Sequence, residues 1–364
     1  MAQIVIDARF VRTTTGRYIE RLLYYLQKVD RTNDYIVLLK PRDMEGWQPS
    51  NPRFTKVASP HKEFTFAEQL GLLRQIRNLK PDLVHFTMVQ QPVFYRGKVV
   101  TTMHDLTTIR FRNPSKNWLV FTVKQLVYKW LNKRVARKST MIITPSNFVR
   151  DDVAAYTGVP KTKISVTYEA TEPAAAEPEV VKSLKPDQFI MYVGRPQPHK
   201  NLERLVEAFV QLKKNHPHLK LVLVGKLDPL YKRLQHQVSQ KAIDGVVFAG
   251  FVSDGQLRWL YENTAAYVFP SLSEGFGLPA LEAMVHGAPV VSSNATCLPE
   301  IYGEAAFYFD PLDIDDMAAK INQVLSDEAL RQKLIKVGRA QVKKYSWQRM
   351  AERTLAIYNQ VLND

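Results

Sequence analysis

The amino-acid sequence predicts an α/β fold of two Rossmann-like domains, each a doubly wound parallel sheet, facing a common cleft. Three observations predict it. Short β-branched runs alternate with amphipathic helical stretches in the first half of the chain, and the same alternation repeats in the second half. Between the halves lies Glu169–Asp187, EATEPAAAEPEVVKSLKPD, whose three prolines, four glutamates and clustered alanines read as a linker. The length, 364 residues, is too great for one core and natural for two.

In the first domain, residues 1–168, the strand candidates are Gln3–Ala8, Tyr35–Leu39, Leu83–Thr87, Val99–His104 and Met141–Pro145. Amphipathic stretches such as Tyr18–Val29 and Ala67–Leu79 separate them. In the second domain, residues 188–345, the strands are Phe189–Val193, Lys220–Val224, Val246–Phe248, Ala266–Phe269 and Pro289–Ser292. Helical patterns at Asn201–Lys214 and Asp254–Glu262 follow two of them. A final serine-capped helix covers Ser346–Leu362. In sheets of this kind ligands bind beyond the carboxyl ends of the strands, so the loops there carry the chemistry.

Composition narrows the class. Apolar residues make up 45% and charged residues 23%, the balance of a folded globular chain. The single cysteine, Cys297, allows no intrachain disulfide and disfavours a thiolate zinc site. The opening MAQIVIDARF has neither a basic n-region nor a long apolar core, and no run approaches a membrane span, so the expectation is a cytoplasmic protein. No G-x-G-x-x-G follows a strand, which disfavours a nicotinamide dehydrogenase. The net charge of +15 is unevenly placed. Residues 1–168 hold 28 Lys and Arg against 12 Asp and Glu, whereas residues 169–364 hold 22 against 23. The first half is therefore expected to meet something anionic.

Four loops stand out. Ser271–Met284, SLSEGFGLPALEAM, places Glu274 and Glu282 eight residues apart around two glycines and a proline. Pro279 favours a helix start, so the backbone amides of Phe276, Gly277 and Leu278 are expected at its N-terminus, where the dipole favours a phosphate. A carboxylate at Glu282, in or near the first turn, suits the paired hydroxyls of a ribose, and Glu274 suits a sugar hydroxyl across the phosphates. A helix cap with a tight turn fits the same spacing. GRPQPHKN at 194–201 sets Arg195 and Lys200 between a strand and a helix, as a diphosphate requires or as a solvated loop allows. His104 and Asp105 end a strand at the expected cleft, where the histidine serves a sugar hydroxyl, a proton or the fold alone. Asp7–Tyr18 is a strand, a loop and a helix start with one glycine, Gly16. Asp313-Ile-Asp315 opens a helix and reads as capping acids, and His216-Pro-His218 reads as loop.

Taken together these loops resemble the family 4 glycosyltransferases, which have the two-domain GT-B fold. Glu274-Gly-Phe-Gly-Leu-Pro-Ala-Leu-Glu282 matches that family's E-x-F-G-x-x-x-x-E signature. VGRPQPHKN at 193–201, LVLVGKL at 221–227, FAGFVSDGQL at 248–257 and SSNATCLPEI at 292–301 follow the family order. The resemblance implies an enzyme that moves a sugar from a nucleotide diphosphate to an acceptor hydroxyl with retention, without a metal or other cofactor. By the same carry-over Arg195 and Lys200 neutralise the diphosphate, and Glu274 holds donor-sugar hydroxyls. Backbone around Phe276, Gly277 and Leu278 holds phosphate, Glu282 binds the ribose, and backbone near Val252 faces the base. His104 meets the donor sugar from the first domain, and the loop at Gly16 borders a donor phosphate or the acceptor. The departing phosphate takes the acceptor's proton, so no side-chain nucleophile is named. Relatives often carry Gly-x-Gly before Arg17-Tyr18, where this chain has Thr14-Thr15-Gly16. The Asp-Ala-Arg and Gly-Arg-Tyr elements look most like mannosyltransferases of surface-polysaccharide assembly, which points to GDP-mannose. The resemblance also implies that the last helix, 346–364, returns to the first domain. The alternatives are a sugar-nucleotide epimerase of the same fold and a non-catalytic nucleotide-sugar-binding protein at a membrane surface.

Leu106–Arg150 contains ten basic residues and no acidic one, interleaved with Phe111, Trp118, Phe121, Tyr128 and Trp130. Lys129, Lys133 and Arg137 recur at helical spacing. Such a helix suits an anionic membrane surface, hence a peripheral protein on the membrane's inner face. An amphipathic helix with its aromatics in the core fits the same pattern. No nucleic-acid motif accompanies the charge, so the expected partners are a nucleotide-sugar donor and a glycan or lipid-linked acceptor.

Overall fold

The computed structural model describes residues 1–13, 15–63, 65–111 and 118–364. Its contacts group the chain into two compact units. The first comprises Met1–Ile109, Leu119–Glu169 and Ser346–Asp364; the second comprises Arg110–Trp118 and Ala170–Tyr345.

The first unit is built on strands β1 (Gln3–Asp7), β2 (Asp34–Leu39), β3 (Phe54–Ala58), β4 (Leu83–Phe86), β5 (Val99–Thr102), β6 (Met141–Thr144) and β7 (Ile164–Val166). They form one parallel sheet in the order β3-β2-β1-β4-β5-β6-β7. β4, β5 and β6 are buried throughout because helices cover both faces, which is why, His85 apart, they read as continuous apolar or β-branched runs. Helix α1 (Gly16–Val29) buries Ile19, Leu22, Leu23 and Leu26, the i, i+3, i+4, i+7 set of one face. Next come α2 (Leu73–Leu79), α3 (Thr107–Arg110), α4 (Trp118–Lys138) and α5 (Asn147–Thr157). A π-helical stretch, Ala67–Leu72, leads into α2. Val5, Leu38, Leu72, Ile76, Val84 and Phe86 form one core cluster. On the β6 side Met103, Ala136, Ile142, Val149 and Val153 form another.

The second unit has β8 (Phe189–Val193), β9 (Lys220–Val224), β10 (Val246–Gly250), β11 (Ala266–Phe269), β12 (Val290–Ser293) and β13 (Ala306–Phe309), parallel in the order β10-β9-β8-β11-β12-β13. Its helices are α6 (Leu202–Leu212), α7 (Pro229–Gln240), α8 (Asp254–Asn263), α9 (Leu278–Val285), α10 (Leu298–Tyr302), α11 (Ile314–Ser326) and α12 (Glu328–Val342). Helix α13 (Trp347–Asn363), capped by the Ser346 hydroxyl, packs along α1 in the first unit. Tyr358 carries that packing inward, its Oη lying 2.5 Å from His85 Nδ1 on β4.

Residues 170–187 do not form a free tether. The Ala174 amide donates to His286 Nε2 at 3.2 Å, Arg258 Nη1 to the Ala176 carbonyl at 3.0 Å, and Ser253 Oγ to Glu179 Oε2 at 2.7 Å. This strap along α8 and the end of α9 belongs to the second unit.

Candidate active site

In the second unit the strand order reverses beside β8, whose neighbours are β9 and β11. The loops after β8 and β11 therefore open at a topological switch point, the place where a doubly wound sheet accepts a ligand. Arg195 and Lys200 lie on the first loop, Glu274 on the second. Three bonds hold the loops together. Lys200 Nζ is 2.5 Å from Glu274 Oε1, the Leu272 amide donates to the His199 carbonyl at 2.7 Å, and Asn201 Nδ2 donates to the Pro270 carbonyl at 3.1 Å.

Asn201 anchors this arrangement. It is buried in the left-handed region (φ 60°) at the N-cap position of α6, where its side chain makes no capping bond but donates also to the Pro311 carbonyl at 2.7 Å and accepts from Arg204 at 2.9 Å. Asparagine tolerates that backbone where most residues do not. In the sequence Asn201 closes the GRPQPHKN motif, and its spacing there implies no task. An asparagine directly before an apolar helical run was the available signal. Among the described residues Arg195 has no ion-pair partner and is exposed, so one cation of the loop is uncompensated and the other is neutralised by Glu274.

Glu274 is fixed from behind. Its amide donates to Thr296 Oγ1 at 3.1 Å, its carbonyl accepts from Cys297 Sγ at 3.3 Å, and Thr296 itself adopts φ 55°. Burial, with the nearby Glu274 and Glu300 charges adding to it, pushes the Cys297 thiol well up, so this cysteine is no nucleophile. Gly277 caps α9 at φ 92°. A Cβ there would meet Tyr302 Oη at 2.1 Å, because the Tyr302 hydroxyl donates to the Gly277 carbonyl at 2.6 Å. The glycine thus serves both the backbone turn and a close approach. The first amides of α9, from Leu278, have no intrahelical acceptor. Phe276 is buried edge-on to Tyr345, their ring centroids 5.4 Å apart.

Glu282 falls in the second turn of α9, and Tyr261 Oη donates to it at 3.4 Å. Tyr261 in turn stacks on His286, with centroids 5.8 Å apart and planes 3° off parallel. Val252 lies half-buried between β10 and α8 at the same end of the sheet, beside the exposed Phe251. Asp313 accepts from the Asp315 and Asp316 amides and caps α11, so the D-x-D is a helix cap. His216 Nε2 is 2.8 Å from Asn322 Oδ1, a structural contact.

In the first unit Gly16 opens α1, and a Cβ on it would lie 1.8 Å from the Val11 carbonyl oxygen, so only glycine fits. Thr14 lies outside the described residues. His104 follows β5 with both ring nitrogens engaged: Nε2 is 3.1 Å from the Thr87 carbonyl and Nδ1 is 3.4 Å from Glu169 Oε1. Tyr18 meets the ring edge-on at 4.9 Å. The loop after β1 is anchored by a fully buried Arg9, which binds Asp7 through two bonds of 2.8 Å and reaches Glu68 at 3.0 Å. Burial opposes the Arg9 charge, but those two carboxylates outweigh it and hold the guanidinium protonated.

Helix α4 exposes Leu126, Val127 and Trp130 together with Lys133, Arg134 and Arg137, while Lys129 and Tyr128 are half-buried. Arg112, Lys116 and the side chains of Trp118 and Phe121 fall outside the described residues. Among the described residues no helix is long and apolar enough to cross a membrane.

Two family descriptions match the chain: Glycosyltransferase Family 4 over residues 15–174 and Glycosyl transferases group 1 over residues 175–341. The O-antigen chain mannosyltransferase B of Escherichia coli is 31% identical over 274 residues, covering 72% of this chain and 70% of that protein. The serotype-specific mannosyltransferase WbdA of Escherichia coli is 35% identical over 196 residues, which are 50% of this chain and only 24% of WbdA. Among solved structures, sucrose-phosphate synthase of Thermosynechococcus elongatus superposes with a TM-score of 0.79 at 20% identity, covering 100% of both chains. Anabaena HepE in complex with UDP gives 0.73 at 16%, over 99% of this chain and 100% of that one. The two parallel-sheet domains are those of the GT-B fold, and the chain belongs to the family 4 glycosyltransferases.

Proposed function

We propose that this glycosyltransferase moves mannose from GDP-mannose to a hydroxyl of a glycan or lipid-linked glycan, with retention and without a metal. The observation that carries the reading is the Lys200–Glu274 pair at the switch point, with Arg195 exposed on the same loop. The relatives' names, O-antigen chain mannosyltransferase B above all, support mannose and a surface polysaccharide.

Each group has a task in this reading. Arg195 and Lys200 take up the diphosphate charge that grows as the glycosidic bond breaks, work that preorganised cations perform at little reorganisation cost. The amides of Phe276, Gly277 and Leu278 receive a phosphate at the start of α9. Glu274 turns from Lys200 to the donor-sugar hydroxyls as the diphosphate occupies the lysine. Glu282, steadied by Tyr261, accepts the ribose hydroxyls, and backbone at Val252 faces the base. His104 serves the donor sugar from the first unit, with Gly16 bordering it. The acceptor oxygen bonds to the anomeric carbon on the face the phosphate leaves, and its proton passes to the departing phosphate oxygen. Lys133 and Arg137, with Lys129 and the exposed Trp130, rest on an anionic membrane surface that presents the acceptor.

A thermal-shift screen of GDP-mannose against UDP- and ADP-sugars tests this. A donor at about 100 times its Kd stabilises by about 2.7 kcal/mol, or roughly 5–10 °C for a domain of this size. GDP-mannose is expected to give that shift, and Arg195→Ala with Lys200→Ala to lose both the shift and mannosyl transfer. A shift with a UDP-sugar alone refutes the donor; no shift with any nucleotide sugar refutes the reading.

A further inference from the structure

We propose that Glu169 is a positioning residue for His104, fixing the imidazole that serves the donor sugar; the proposal rests on the functional reading above.

The ring torsion of histidine is broad and roughly two-fold, so rotamer preference alone does not choose which edge faces which way. At His104 two oxygens, one near each ring nitrogen, make the choice. The Thr87 carbonyl lies 3.1 Å from Nε2 and the Glu169 carboxylate 3.4 Å from Nδ1. Turning the ring over would place carbons where the two ring nitrogens now meet those oxygens. Tyr18 closes a third side edge-on, and its own hydroxyl is tied down, 2.9 Å from Thr102 Oγ1. Thr102 Oγ1 is also 2.8 Å from His85 Nε2, which links the cluster to Tyr358 on α13.

Glu169 stands at the point where the chain leaves the first unit and is only 6% exposed. Among the described residues His104 is its ion-pair partner, and burying a carboxylate against a single imidazole costs the fold free energy. A solvated side chain would end the unit equally well. What the carboxylate adds is orientation of the one histidine at the carboxyl end of β5, and a displacement of about 1 Å there is worth up to about 100-fold in rate.

The test is a double-mutant cycle on the full chain, with donor KM and kcat for mannosyl transfer. Glu169→Ala is expected to lower kcat about 10–100-fold while donor KM, set mainly by the second unit, changes less than about threefold. Glu169→Gln keeps an acceptor oxygen in place and should recover most of the loss. On a His104→Ala background, Glu169→Ala should add nothing. An additive cycle, an unchanged kcat in Glu169→Ala, or Glu169→Gln as impaired as Glu169→Ala overturns the proposal. A second measurement needs no turnover and no alanine variant. The His104 ring nitrogen resonances in the substrate-free protein should move on Glu169→Gln, and unchanged resonances refute the contact. A wild-type chain that transfers no sugar refutes the functional reading, whereas the resonances still decide the role of Glu169.

Discussion

Replacing Gly277 by alanine tests the cradle at the start of α9 most directly. The backbone there has φ 92°, a conformation that costs an L-residue about 1–2 kcal/mol. The new methyl would lie 2.1 Å from Tyr302 Oη and 2.9 Å from Leu298 Cδ2, both far inside contact distance. Tyr302 is fully buried, so its ring has little room to retreat. Any retreat also breaks the 2.6 Å bond from its hydroxyl to the Gly277 carbonyl. A buried hydroxyl left without an acceptor costs about 1–3 kcal/mol. Together Gly277→Ala should destabilise the second unit by about 3 kcal/mol, a fall of roughly 6–12 °C in Tm. Thermal and urea unfolding read the loss. Tyr302→Phe supplies the internal control, since it removes the clashing oxygen while leaving the φ strain. In the Gly277→Ala, Tyr302→Phe double variant the hydroxyl's share of about 1–3 kcal/mol should vanish, giving a clearly non-additive cycle. An unchanged Tm in Gly277→Ala, or strict additivity with Tyr302→Phe, refutes the reasoning.

Two further outcomes are expected. Burial, with the charge of His104 adding to it, holds the His85 imidazole down to about 3. The unfolded chain binds that proton near pH 6.5, so this share of stability is complete above 6.5 and is lost as pH falls toward 3. Between pH 7 and 5 it amounts to about 2 kcal/mol; His85→Gln should flatten the pH dependence of urea unfolding by that much, and an identical slope in both proteins would contradict it. Neutralising Lys129, Lys133 and Arg137 to glutamine should weaken co-sedimentation with phosphatidylserine vesicles by up to about 100-fold, at about 1 kcal/mol per cation. Equal sedimentation of variant and wild type returns α4 to an ordinary amphipathic helix.

The sequence by itself determined the alternation of strand and helix, the division into two sheets, the loops that carry Arg195, Lys200 and Glu274, and the helix that carries Glu282. These are local properties: β-branched runs buried on both faces, a proline in the first turn of α9, a serine before α13. Only the tertiary structure supplied β3, β7 and β13. All three are edge strands, half-paired and partly exposed, so FTKVA and ISV lack the apolar continuity that marks a central strand. It alone also joined Lys200 to Glu274 across 74 residues, His104 to Glu169, and His85 to Tyr358 across 273. No periodicity encodes such pairs. They exist because parallel strands return every crossover to the same end of the sheet, and because burial then obliges each polar group arriving there to find a partner.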